Sequence, residues 1–265
     1  MCQEPGRHST LDKGHEEGGS AYANAGSSLR SPPGCSRTSP PPKKPGVCLL
    51  YCFVLSPLIS LGAVPHAQKY NAMVMVDESH SAGVVGKTGR GVTEHFNLRG
   101  KIEILTGTLG KAFGGAMGGF TTGRKEIIDM LRQRSRPYLF SNSMAPGLVA
   151  AGIRMFEMMS ETNALQDKLH ENTAYFIKKM TEAGFDCKPS QSAICAVMLY
   201  DAPLSQKFAA KLQEEGIFVT GFYYPVVPKG QARIRVQVSA AHEREHLDKC
   251  IAAFVKIGKE LGILK

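Results

Sequence analysis

A chain of 265 residues with 43% hydrophobic content can bury one large or two modest domains. Its net charge of +9 admits an anionic partner such as a nucleic acid, a membrane surface or a phosphorylated cofactor. With 8% aromatics, no Trp and no interleaving of basic with aromatic residues, nucleic acid is disfavoured. Seven cysteines, odd in number and without a C-x-x-C pair, argue against a zinc site or a disulfide framework and for a reducing compartment.

In chain order, residues 1–45 are rich in Ser, Pro and Gly, show no period of 2 or 3.6, and are expected to be disordered. An apolar run from Val47 to Val64 follows Lys43 and Lys44. Its length suits a membrane anchor or a late signal sequence, but Pro57 interrupts it and the polar stretch ahead is too long for a signal. Residues 1–65 are therefore expected to form a leader outside the globular part, and membrane attachment is disfavoured. Glu4, Asp12, Glu16 and Glu17 also spoil an acid-poor transit helix.

From about residue 68 the pattern is that of an α/β protein. Strands are expected at 72–77, 102–108, 118–122, 193–199, 217–220 and 232–238. Helices are expected at 124–134, 145–160, 163–183, 204–215 and 241–261. Pro146 suits a first helical turn, and Asn163, Ser205 and Ser239 are candidate N-caps.

The densest cluster of unusual residues is Gly107-Thr108-Leu109-Gly110-Lys111-Ala112-Phe113-Gly114-Gly115-Ala116. A phosphate-binding P-loop fails, because Leu105 occupies the leading glycine position and Ala112 replaces the magnesium-binding hydroxyl. A G-x-x-x-G helix-packing motif through Gly114 and Gly118 fails for want of a long apolar helix. A glycine turn with a solvated lysine and a Schiff-base lysine remain. The latter attacks an aldehyde as the neutral amine, which partial burial favours. Small neighbours admit a planar ring, and the Thr108 hydroxyl can reach a phosphate. A second cluster, Asp77 to Gly83 (D-E-S-H-S-A-G), puts a carboxylate at the end of a buried strand, where α/β folds place ligand chemistry. Pyridoxal phosphate (PLP) chemistry needs both parts: a lysine for the aldehyde and an acid beside the ring nitrogen.

Four segments carry a resemblance: D-E-S-H-S-A-G, G-R-G (Gly89–Gly91), T-G-T-L-G-K-A-F-G-G-A and R-Q-R-S-R-P-Y-L-F-S-N-S (Arg132–Ser143). They look like the α-oxoamine synthases, PLP enzymes of fold type I that join an amino acid to an acyl-CoA. The resemblance runs from about residue 66 to the C-terminus. It implies an incomplete large domain with a mixed sheet over 66–160 and a C-terminal small α/β domain over 161–265. By the same resemblance Lys111 holds the cofactor, Asp77 pairs with its ring nitrogen and His80 bonds its ring oxygen. Thr108 contacts its phosphate, and Ser141 and Asn142 reach the phosphate of the partner subunit's cofactor in a homodimer. Arg235 takes the substrate carboxylate, which agrees with the strand alternation of Arg233-Ile234-Arg235 and the bidentate fork of arginine. The segment Tyr224–Gln237 is most similar to members that use glycine and acetyl-CoA. Their reaction, run in reverse, is a thiolytic step of threonine breakdown. The resemblance also implies a mitochondrial location.

Members of that family are longer upstream of the strand ending at Asp77, and the expected leader matches none of that length. Ser192-Ala193 also replaces a histidine-containing dipeptide. A second reading follows: a non-catalytic fragment able only to associate with a full-length partner.

Overall fold

The computed structural model describes residues 47–51, 62–114, 117–190 and 192–264, with backbone alone for 47–51. Most of the expected leader, residues 1–46 and 52–61, lies outside the described residues.

A first sheet has four strands, β1 (Val47–Tyr51), β2 (Met73–Asp77), β3 (Ile104–Thr108) and β4 (Gly119–Gly123), in that spatial order. The first three run parallel and β4 closes antiparallel on β3. Helices α1 (Val64–Lys69) and α2 (Val92–His95) belong to this layer. Val64, Ala67, Val74, Val76, Val92 and Leu98 form its small core. Three helices follow β4: α3 (Lys125–Arg134), α4 (Arg136–Phe140) and α5 (Pro146–Glu161).

The rest of the chain is a second layer. Helix α6 (Ala164–Glu182), β5 (Cys187–Lys188), β6 (Ile194–Tyr200), α7 (Ala202–Glu214), β7 (Thr220–Phe222), β8 (Ala232–Gln237) and α8 (Arg244–Glu260) follow in order. The strands form an antiparallel sheet in the order β5-β6-β8-β7. One face carries a large core in which Phe176, Phe208 and Phe254 are completely buried. Strand β8 and the first half of β6 alternate inward and outward side chains, as a sheet with one covered face requires, while Val197, Met198 and Leu199 are all buried where the β6 register shifts.

Several expectations change. Residues 47–51, expected in the leader, form β1, with Val47 opposite Met73 and Tyr51 opposite Asp77. A buried parallel strand is a continuous apolar run without alternation, so periodicity cannot tell it from an anchor. Helix α1 likewise crosses the expected boundary at residue 65. Among the described residues no helix is long and apolar enough to cross a membrane.

The expected N-caps are displaced. Asp201 caps α7 by accepting from the Leu204 amide at 2.7 Å, while Ser205 lies inside the helix and donates to the Ala202 carbonyl at 2.8 Å. Glu243 caps α8 in a capping box with His246, and Ser239 instead accepts from the Ala241 amide. Asn163 stands at the α6 N-cap without a side-chain bond, and the hydroxyl of Thr162 accepts from the Ala164 amide. Pro146 does open α5. Strand β7 starts at Thr220 rather than at residue 217, because the α7 terminus is still closing there with an Ile217 amide bond to the Leu212 carbonyl.

Candidate active site

Strands β2 and β3 are parallel neighbours, so their carboxyl ends open on the same edge of the sheet. Asp77 ends β2, and Lys111 follows the end of β3 by three residues. Asp77 faces Thr106 in the pairing register and accepts its hydroxyl at 3.2 Å. The turn after β2 adds the Ser79 amide at 3.0 Å and the Ser79 hydroxyl at 2.6 Å. All three bonds fall on Oδ1, so Oδ2 is the oxygen left for a ligand. Neither Ser79 nor Thr106 was singled out in the sequence. The D-x-S spacing of an Asx turn signalled the first. The second depends on strand register.

His80 projects from that turn to Lys111, with Nε2 3.1 Å from Nζ. Burial, then the positive charges of Lys111 and Arg235, hold the His80 pKa below its ordinary value, against the opposing pull of Asp77. The ring is thus kept neutral at neutral pH, able to pass a proton through either nitrogen. Lys111 itself is exposed rather than partly buried, because the loop that carries it bulges into an open cleft. The loop closes on itself through a Gly114 amide bond to the Lys111 carbonyl. The glycine of T-G-T is steric: a Cβ on Gly107 would sit 2.5 Å from the Phe120 ring.

The cleft has a volume of about 1160 Å³ and runs between the two layers. His80 and Lys111 line one wall, and Arg235 on β8 faces in from the other with its guanidinium 5.4 Å from the centre of the Phe222 ring. At that distance the ring face attracts the cation and helps hold the guanidinium at the cleft wall. Arg233, on the same strand face, bonds back to the Gln231 carbonyl at 3.0 Å and does not line the cleft.

Asp77, Thr108, Ser141 and Asn142 do not line the cleft; Asp77 lies behind the Ser79–His80 turn that does. The Thr108 hydroxyl donates to the Gly118 carbonyl and accepts from the Gly110 amide, so a phosphate must compete for its proton. Ser141 and Asn142 lie exposed beyond α4 and do not line the cleft. Among the described residues no group of three or more His, Cys, Asp or Glu could hold a metal ion.

A mixed sheet with an acid, a histidine and a lysine at its carboxyl edge, faced by a four-stranded antiparallel layer, is the arrangement of the PLP-dependent transferase fold. The chain belongs to the class I and II aminotransferase family, whose model matches residues 62–254.

Within that family it is 55% identical over 203 residues to the 2-amino-3-ketobutyrate coenzyme A ligase of Escherichia coli K12, covering 77% of this chain and 51% of that one. The mitochondrial 2-amino-3-ketobutyrate coenzyme A ligase of Mus musculus is 48% identical over 198 residues, covering 75% and 48%. Serine palmitoyltransferase of Sphingomonas wittichii superposes with a TM-score of 0.78 at 26% identity, over 84% of this chain and 57% of that one. The chain spans about half the length of the curated relatives it matches.

Proposed function

We propose that this chain carries the PLP-binding half-site of a glycine C-acetyltransferase, the activity for which 2-amino-3-ketobutyrate coenzyme A ligases are named. The observation that carries the reading is the 3.1 Å approach of His80 to Lys111 across two adjacent strand ends, with Asp77 braced beside them. The residues fit the cofactor. Asp77 keeps one oxygen for the ring nitrogen, and Lys111 is an accessible amine for the aldehyde. The positive charges of Lys111 and Arg235 suit the phosphate and carboxylate groups of cofactor and substrate.

The reaction joins the α-carbon of glycine to the acetyl carbon of acetyl-CoA, expelling CoA and yielding 2-amino-3-ketobutyrate. Reversed, it is the thiolytic cleavage in threonine breakdown. PLP supplies an electron sink for the charge that develops on the glycine α-carbon. Lys111 would hold the cofactor through its aldehyde and, as a free amine, would be the base for the α-proton. Asp77 would hold the ring nitrogen protonated. His80 would bond the ring oxygen and shuttle a proton near the carbonyl being formed. Arg235 would grip the glycine carboxylate. Thr108 would contribute to the phosphate site, and Ser141 and Asn142, exposed and outside this cleft, would serve the partner's cofactor in a homodimer. The name of the mouse relative as mitochondrial supports a mitochondrial location, the alternative being the cytoplasm.

A second reading, a non-catalytic chain that works only in association with a full-length relative, is favoured by apolar side chains exposed along α4 and α5. Phe140 is 80% and Ile153 57% exposed.

The test is borohydride trapping after incubation with PLP, followed by peptide mapping. A phosphopyridoxyl label on Lys111, lost in Lys111→Ala, is expected. A label at another lysine overturns the site. Release of CoA from glycine and acetyl-CoA by the labelled-competent chain separates the two readings: turnover supports the first, and binding without turnover the second.

A further inference from the structure

Between Asp77 and His80 lies a residue that points the other way. Glu78 is 4% exposed, and its carboxylate accepts from the Ser81 hydroxyl, the Val92 amide at 2.9 Å and the Thr93 amide at 3.1 Å. Its own amide donates to the Thr106 carbonyl at 2.7 Å, and its carbonyl accepts from the Ser81 and Ala82 amides. Every backbone and side-chain polar group of this residue is thereby used to tie the turn to β3 on one side and to the start of α2 on the other.

The G-R-G segment completes the arrangement. Ala82 bridges Arg90, the Gly83 amide bonds the Gly89 carbonyl at 2.7 Å, and the Gly91 amide bonds the Val85 carbonyl at 2.8 Å. Gly91 has φ +83°, and a Cβ there would lie 2.3 Å from Glu78 Oε2. The glycine is therefore required by the buried carboxylate, in space as well as in backbone conformation.

We infer that Glu78 is a positioning residue for the proposed site: by locking the Asp77–Ser81 turn onto the Gly89–Thr93 segment it holds His80 in the cleft against Lys111 and fixes the turn that braces Asp77 at the end of β2. The Val92 and Thr93 amides can only donate and sit on different oxygens, so a glutamine in place of Glu78, whichever way its amide turns, sets its N–H against one of them. The turn then loses its register against β3 and α2, and His80 its place against Lys111. The inference rests on the reading of Asp77 and His80 as cofactor-facing, but its decisive readout needs no cofactor.

The experiment follows the histidine ring resonances of the cofactor-free chain against pH by NMR, with the His80 signal assigned from His80→Gln. In Glu78→Gln the His80 midpoint moves up toward the ordinary imidazole value while that of His242 stays in place, and PLP labelling of Lys111 weakens roughly tenfold. A role confined to stability lowers the melting temperature and leaves the His80 midpoint of the folded chain alone. A Glu78→Gln chain with native far-UV dichroism and an unmoved His80 midpoint overturns the inference. Should that variant not fold, Ser81→Ala, which removes a single donor, is read in the same way, with the same direction expected and the same null result decisive. If the unaltered chain takes no PLP label at Lys111, the cofactor reading fails, and the turn is still judged by the His80 midpoint.

Discussion

The long helices of the two layers, α5 with 16 residues and α6 and α8 with 19 and 17, differ in what covers them. In the C-terminal layer α6 buries Leu169, Phe176 and Met180, and α8 buries Leu247, Phe254 and Ile257. Beside the first sheet, α3 and α4 bury nothing and α5 buries only Gly152, leaving Met130, Ile153 and Met158 about half exposed or more. Helical periodicity is present in both, so an apolar stripe shows that a helix forms and not that a partner surface meets it. The proposed site lies on the seam: its lysine, acid and histidine come from the sparsely covered layer and its arginine from the densely packed one.

The sharpest way to break this contrast is a pair of truncations. Phe254 is fully buried among Phe176, Phe185 and Phe208, with ring centroids 5.4–6.4 Å away. Phe254→Ala is expected to cost about 3–5 kcal/mol in urea unfolding, and Phe156→Ala on α5, 44% exposed, about 1 kcal/mol or less. Equal losses would mean the two layers are equally well packed. A smaller effect comes from the cap of α7: Asp201→Ala removes the bond to the Leu204 amide and is expected to cost about 1 kcal/mol by the same measurement.

Smallest is a pH dependence centred on the seam. The folded pKa values of His80 and His242 are depressed, chiefly by burial. The unfolded chain therefore binds more protons, stability rises with pH, and it is lost as pH falls below the ordinary value of 6.5 and through the folded pKa values. His80→Gln should flatten the slope of urea midpoint against pH in that acidic window. An unchanged slope would place its origin elsewhere.

Much of the site was legible because its parts announce themselves locally. A β-branched run ending in Asp77 and a lysine set among glycines are short patterns with a chemical meaning, and their pairing suggested one cofactor. Arg235 was separable from Arg233 by family likeness, and the structure supplies the physical difference in the bond from Arg233 to Gln231. Glu78 and Gly91 were visible as residues but not as a pair, since fourteen positions of loop bring that carboxylate to the Val92 amide.

Sequence alone determined the longer strands and helices from β2 onward, because side-chain period is a property of a few consecutive residues, while α2, α4 and β5, of two to five residues each, are too short to show one. It determined also that Asp77 ends a strand and that Lys111 follows one. Tertiary structure alone decided that residues 47–51 join the sheet and that His80 meets Lys111, because both need segments far apart in the chain to be brought together by strand pairing. The caps at Asp201 and Glu243, rather than at Ser205 and Ser239, are bonds within one helical turn, and they depend on the residue at which each helix starts.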